Sequence, residues 1–353
     1  MSEPLIAALA ARGEQVDVAA LPWVAPVYRA MPGVAAVQAL PFAHGRLDLS
    51  ARRTVAREWR GRYDVAYVLP NSIKAALLPW LARIPLRVGY LGEQRRLLLN
   101  RHLPNPGGRP PMVAFYRALA DVHAGVPAAP ALGEAHAQIV AADAAPRLAL
   151  AAEPVARLLA RHGLSPRAYV AMAPGAEYGS AKCWPAEHYA DLARRLHADR
   201  GLAVVLLGSP KETELAARIA TLAGPGCLPL AGATSLDEAM ALIAGAAGLV
   251  SNDSGLMHVA AAFGLPQVAV FGSSSPEHTP PLNPRARVLW LKHEIGLACS
   301  PCFERSCRYG HTRCLVDIGP ERVRLALDDA WGPGACLSPR PAGRAAPARA
   351  ATS

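Results

Sequence analysis

Two short segments combine the residue types that handle negatively charged groups. The first, residues 173–185, reads Ala-Pro-Gly-Ala-Glu-Tyr-Gly-Ser-Ala-Lys-Cys-Trp-Pro. Gly175 and Gly179 let the backbone approach a ligand closely, and Lys182 precedes a helix start at Pro185, where phosphate is electrostatically welcome. An ordinary strand-to-helix loop with a solvated lysine has the same spacing, so spacing does not choose between the two. The second segment, residues 251–258, reads Ser-Asn-Asp-Ser-Gly-Leu-Met-His. Asp253, Ser254 and Gly255 fall at a helix start, whose free N–H groups and hydroxyl suit a diphosphate. Ser254 and His258, four apart, share one helix face. Alternatively Asp253 and Ser254 cap the helix and His258 is a core histidine. Capping and phosphate binding are compatible.

The elements that must hold these segments alternate. Runs at 168–173, 202–208, 248–252 and 267–271 read as buried parallel strands, and 185–200, 211–222, 235–245 and 255–263 as helices. In the first of these helices Tyr189, Leu192, Ala193 and Leu196 form one apolar face, with Pro185 suited to its first turn. Such alternation implies a doubly wound sheet that binds ligands at the carboxyl ends of its strands. The first half repeats the rhythm less clearly, with strands at 16–20 and 64–69 and helices at 49–60, 72–82 and from Val113 onward. The Ala/Pro-rich stretch 126–146 reads as a loop or insertion, and a helix near 153–162 leads to a joint at 163–166.

The 353 residues exceed what one core usually spans, which predicts domains at 1–163 and 164–330 and a disordered tail over 331–353. With 52% apolar and 18% charged residues the chain is globular. The net charge of +10 suits an anionic partner, but nothing resembles a nucleic-acid-binding module. No apolar run is long enough to span a membrane and no signal peptide opens the chain, so a cytoplasmic protein is expected.

Taken together, Gly-Ala-Glu-Tyr-Gly-Ser-Ala-Lys-Cys-Trp-Pro, Asn-Asp-Ser-Gly-Leu-Met-His-Val-Ala-Ala-Ala and the stretch 271–281, Phe-Gly-Ser-Ser-Ser-Pro-Glu-His-Thr-Pro-Pro, resemble the ADP-heptose:lipopolysaccharide heptosyltransferases. These form glycosyltransferase family 9, and the likeness is nearest to its heptosyltransferase II branch. It extends through 67–77 and 84–90 and so covers most of residues 1–330. The resemblance implies a GT-B fold, two facing Rossmann-like domains with the active site in the cleft. It also implies inversion at the anomeric carbon without a catalytic metal. The donor would be ADP-L-glycero-D-manno-heptose and the acceptor heptosyl-Kdo2-lipid A, at the inner face of the bacterial inner membrane.

By resemblance, Lys182 contacts the donor diphosphate, Ser254 and Gly255 hold phosphate oxygens, Asp253 and His258 line the donor site, and Gly175 belongs to it. Glu212 matches a residue that contacts the nucleotide ribose, with Glu214 close enough to compete. Departure of ADP builds negative charge that a lysine and helix N–H groups would stabilise. On the acceptor side, Asn71, Ser72 and Lys74 follow the strand end at Pro70. Arg95, Arg96 and Arg101 surround 97–99 as a basic cluster suited to an anionic lipid surface, or as an ordinary solvated face.

Cys299, Cys302, Cys307 and Cys314, with His311, form C-x2-C-x4-C-x3-H-x2-C. In a cytosolic protein that density favours metal over disulfides, and structural zinc, reduced thiols or oxidation-prone pairs are the readings. At the front, residues 4–12 already read as a helix, whereas members of the family open with a strand and a Gly-Asp turn that carries the proposed general base. About 12–15 residues, one strand and its turn, are therefore expected to be absent. No general base can be named, the helix face of Leu5 and Leu9 should be uncovered, and a catalytically inactive nucleotide-sugar-binding protein is the alternative.

Overall fold

The computed structural model describes residues 1–42, 46–123 and 145–333. All but the last two residues of the loop expected over 126–146 lie outside that description, as does the expected tail from 334 on. The chain divides into two compact units, Met1–Ala149 with Ser275–Asn283, and Leu150–Ser274 with the chain from Pro284.

The first unit runs α1 (Glu3–Ala11), β1 (Val16–Ala20), α2 (Ala25–Arg29), β2 (Val34–Ala39), α3 (Leu49–Trp59), β3 (Val65–Val68), α4 (Ile73–Leu81), β4 (Leu86–Tyr90), β5 (Arg101–Leu103) and α5 (Met112–His123). Its strands pair in parallel, β1 with β2, and β4 between β3 and β5. The expectation that Leu5 and Leu9 stand bare is wrong: they are 2% and 3% exposed. Helix α5 supplies the cover. Its Phe115 and Leu119, one turn apart, join Val88 and Tyr90 of β4 against α1, and Phe115 stacks on Tyr90 at 3.7 Å.

The second unit runs α6 (Ala152–Arg161), β6 (Tyr169–Ala173), α7 (Ala186–Arg200), β7 (Ala203–Leu206), α8 (Thr213–Ala223), β8 (Cys227–Pro229), α9 (Leu236–Gly245), β9 (Gly248–Asn252), α10 (Gly255–Ala262), β10 (Gln267–Phe271), β11 (Ala286–Trp290), α11 (Arg313–Val316) and α12 (Pro320–Trp331). Six parallel strands lie in the order β11-β10-β9-β6-β7-β8. Every residue of β6, β7, β9 and β10 is buried, as continuous apolar runs covered by helices on both faces require. Tyr189, Leu192, Ala193 and Leu196 of α7 are all buried in that core.

The boundary between units lies at 149/150, ahead of the expected 163. Helix α6 belongs to the second unit because Leu158 and Leu159 are buried, and Arg161 bonds Glu238 of α9 at 2.5 Å. The chain winds outward in opposite directions from β6, with β7 on one side and β9 on the other. The carboxyl ends of β6 and β9 therefore form a topological switch point, where ligands of such sheets bind.

Candidate active site

The segments singled out for phosphate chemistry leave those two strand ends. Ala173 of β6 is in register with Ser251 of β9, so Pro174–Gly175 and Asn252–Asp253 emerge side by side. Asn252 is fully buried and ties both ends of the 174–184 loop. Its Nδ2 donates to Pro174 O (2.6 Å) and Gly175 O (3.3 Å). Its Oδ1 accepts from Trp184 N (2.9 Å) and the Tyr189 hydroxyl (3.1 Å). The Trp184 indole, packed edge-on to Tyr189, donates to Ile318 O at 2.7 Å. The loop is thus pinned where it starts and where it becomes α7.

Between the pins, a single 3-10 turn at Ser180–Lys182 carries the lysine. Lys182 Nζ donates to Asp253 Oδ2 at 2.6 Å and lies 5.3 Å from the centre of the Tyr178 ring. It is neither solvated nor isolated. Asp253 is buried and spends an oxygen on Lys182. The Ser254 side chain makes no cap bond to α10, and its Oγ is buried without a hydrogen-bond partner. The capping alternative therefore fails for the Ser254 hydroxyl. Ser273 Oγ and Ser274 Oγ, just past β10, are likewise buried and unpartnered. Buried hydroxyls without partners are uncommon, and at a helix N-terminus they mark where an anion's oxygens fit.

Gly255 opens α10 with nothing within 4 Å of where a Cβ would stand, leaving the first turn accessible. His258 follows one turn later, half-buried, with its pKa lowered chiefly by burial. The backbone places Glu212 and Glu214 differently. The helix expected over 211–222 is two pieces, a 3-10 turn at Pro210–Glu212 and then α8. Glu212 Oε2 accepts from Ser209 N at 2.5 Å, and Glu214 is exposed on α8. The Glu212 carboxylate lies directly over Gly175 and Gly208, where Cβ atoms would fall 1.7 Å and 2.6 Å from its oxygens. Both glycines are needed for that approach.

The acceptor candidates sit in the first unit at the β3–α4 junction. Ser72 is the N-cap of α4, its Oγ accepting from Ala75 N at 3.3 Å. Asn71 Oδ1 accepts from Arg95 Nη2 at 2.9 Å. Lys74 is half-buried on the first turn, and its carbonyl accepts from Arg52 Nη1 at 2.9 Å. The expected arginine cluster needs correcting. Arg96 and Arg101 are exposed, whereas Arg95 is 0% exposed and turned into the protein.

Comparison with known proteins gives this arrangement a family. The model of glycosyltransferase family 9 (heptosyltransferase) matches residues 52–313, a span that holds both groups of candidate residues. The chain belongs to glycosyltransferase family 9. It is 40% identical over 340 residues to lipopolysaccharide heptosyltransferase 2 of Escherichia coli (strain K12), covering 93% of each chain. It is 39% identical over 335 residues to the protein of the same name in Salmonella typhimurium, covering 92% of each. The solved structure of E. coli ADP-heptose lps heptosyltransferase II superimposes with a TM-score of 0.76 at 37% identity, covering 93% of each chain. The fold of this family 9 enzyme is accordingly of the GT-B class, each unit Rossmann-like.

In this glycosyltransferase the cysteine-bearing loop packs against the 178–182 segment. Ala181 N donates to Arg305 O at 3.0 Å, Tyr178 donates to Phe303 O at 2.6 Å, and Phe303 N donates to Ser273 O at 2.7 Å. A Cβ on Gly179 would fall 2.3 Å from Arg305 O, so only glycine permits the contact. Cys299, Cys302, Cys307 and Cys314 are all free and half-buried. Among the described residues no three His, Cys, Asp or Glu side chains stand ready to hold a metal ion.

Reading the sequence did not single out Asn252, Ser273, Ser274, Tyr178 or Arg305, which the fold gathers around the candidate donor segments, and it took Arg95 only as part of a basic cluster. Asn252 and the two serines lay inside quoted motifs and were legible as polar residues in otherwise apolar strand ends. Tyr178 lay inside the first motif as well, and nothing local marked Arg305.

Proposed function

We propose that this glycosyltransferase moves heptose, with inversion, from ADP-L-glycero-D-manno-heptose to the heptosyl-Kdo2-lipid A inner core of lipopolysaccharide, without a catalytic metal. The observation that carries this reading is the Lys182–Asp253 pair beside the unpartnered Ser254 hydroxyl at the start of α10. The names of the relatives similar across nine-tenths of the chain support the sugar and the acceptor class. As the bond to ADP breaks, negative charge collects on the β-phosphate. Lys182 and the free N–H groups of α10 stabilise charge at that position, and Glu212 is placed for the ribose. A zinc ion on the four cysteines would serve support of the 179–182 segment rather than transfer.

The test is transfer from ADP-heptose to the lipid acceptor with EDTA present and no divalent cation added, together with calorimetric titration of ADP, UDP and GDP. Undiminished transfer and preference for ADP are expected. Preference for UDP would sink the donor assignment, and transfer that requires added divalent metal would sink the mechanism. Metal analysis of the same preparation settles the cysteine loop: one zinc per chain supports the site, and none leaves four thiols.

The acceptor is a lipid, and the first unit carries a surface suited to its membrane. Ile73, Leu77 and Trp80 recur at i, i+4 and i+7 on α4, with Ile73 44% and Trp80 46% exposed. Leu97 is 89% exposed on the turn after β4, between Arg96 and the exposed Arg101. Exposed apolar side chains on α4, with Leu97 next to the exposed Arg96, fit an anionic bilayer surface, where the protein lies peripherally. No helix among the described residues is long and apolar enough to cross one. Sedimentation with phosphatidylglycerol vesicles should show binding that Trp80→Ser with Leu97→Ser weakens about tenfold or more, since each buried large apolar side chain contributes roughly 1.5–3 kcal/mol. Equal binding of the double variant would remove this face from the membrane.

A further inference from the structure

The turn that follows β4 is built unlike its neighbours. Glu93 and Gln94 both adopt left-handed backbone, φ 43° and 55°, although neither is glycine. Such strain persists only where surrounding contacts over-determine it, and it concentrates at functional segments. Here Gly92, Glu93 and Arg95 all reach the 70–73 segment between β3 and α4. Glu93 Oε2 accepts from Ile73 N at 2.9 Å. A Cβ on Gly92 would stand 3.2 Å from Asn71 O, a close backbone approach. The fully buried Arg95 guanidinium donates to Pro70 O and to Asn71 Oδ1, the latter at 2.9 Å, while two further bonds to Tyr90 O, one of 2.8 Å, anchor it to its own strand.

A buried guanidinium satisfied by carbonyls and one amide is costly compared with a neutral side chain there. Holding α4 alone does not require it, because Ser72 and Glu93 already supply the cap. What Arg95 adds is orientation. With Oδ1 held, the Asn71 amide is locked, and its Nδ2 remains as a donor of fixed direction.

We propose that Arg95 is a positioning residue for the acceptor: the Gly92–Arg95 turn clamps Asn71 so that its amide meets the incoming sugar already oriented. This rests on the reading of Asn71, Ser72 and Lys74 as acceptor-binding. Pre-orientation lowers the ordering cost of binding, so its loss raises the KM for acceptor and leaves donor binding alone.

The experiment measures KM for acceptor and for ADP-heptose separately in Arg95→Lys, Glu93→Gly and Asn71→Ala, each checked for an unaltered melting transition. Arg95→Lys keeps the charge but loses the planar fork that reaches Pro70 and Asn71 together. It is expected to raise acceptor KM about 10- to 100-fold, the scale of lost charge-assisted hydrogen bonds, with donor KM within about twofold. Glu93→Gly retains the left-handed turn, leaves the buried guanidinium paired, and is expected to raise acceptor KM several-fold. Adding Arg95→Lys to Asn71→Ala is expected to cost less than on the wild-type background, because the arginine acts through the asparagine. If Asn71→Ala raises acceptor KM while folded Arg95→Lys and Glu93→Gly do not, the clamp is overturned and the acceptor reading stands. If Asn71→Ala leaves acceptor KM unchanged, the acceptor reading fails and takes the clamp with it. Equal rises in both KM values would also overturn the proposal, since they signify general distortion.

Discussion

Lys182→Ala is expected to lower turnover about 100- to 1,000-fold, the usual effect of losing one preorganised charge at a developing anion. The ammonium group is held in place before any ligand arrives. Asp253 grips it at 2.6 Å, and the Tyr178 ring lies beneath it. With its side chain 18% exposed, Lys182 is partly withdrawn from water, so its charge is less screened than a surface lysine's. On the proposed reading, a diphosphate at the start of α10 would share the ammonium with Asp253 and draw more from it as charge grows. Lys182→Arg, which keeps the charge with a different geometry, should retain part of the activity. Steady-state kinetics together with circular dichroism check the outcome. Wild-type turnover in a well-folded Lys182→Ala protein would remove this lysine from the donor site.

Asn252→Ala should produce the largest loss of stability, about 3–5 kcal/mol, and should abolish ordered donor binding as well. Each buried polar group left without a partner costs roughly 1–3 kcal/mol. The truncation strands Trp184 N, Pro174 O and the Tyr189 hydroxyl. The hydroxyl retains Ala173 O at 3.4 Å as a weak alternative, which keeps the sum below the maximum. Set against a typical net stability of about 5–15 kcal/mol, this is a large share. Asn252→Asp is the informative companion, since it keeps both accepted bonds while turning a carboxylate oxygen toward Pro174 O. It should fall between wild type and alanine. Urea titration of the three proteins reads the series directly, and a loss under about 1 kcal/mol for alanine would show that the loop closes without Asn252.

In the second unit legibility followed burial. Strands β6, β7, β9 and β10 are fully covered, so they appear in sequence as apolar runs, and all four were read. The edge strands β8 and β11 were not, because a half-exposed edge mixes polar with apolar residues. Helix α1 was recognised, but its cover was misjudged. The apolar face of Leu5 and Leu9 is visible locally, whereas Phe115 and Leu119, which bury it, come from a helix a hundred residues later in the chain.

The same division runs through the site. The sequence by itself determined where glycines let the backbone turn, where α7 and α10 begin, and that Lys182, Asp253 and Ser254 lie at strand-to-helix junctions. These are local consequences of residue type and period, and the motifs they form carry the family. Tertiary structure alone decided the pairing of Lys182 with Asp253, 71 positions apart. It also placed the Glu212 carboxylate over two distant glycines, left the Ser254 hydroxyl without a cap bond, and buried Arg95 behind Asn71. An ion pair or a desolvated guanidinium is a property of what surrounds the charge, and those surroundings exist only when β3 lies beside β4 and β6 beside β9.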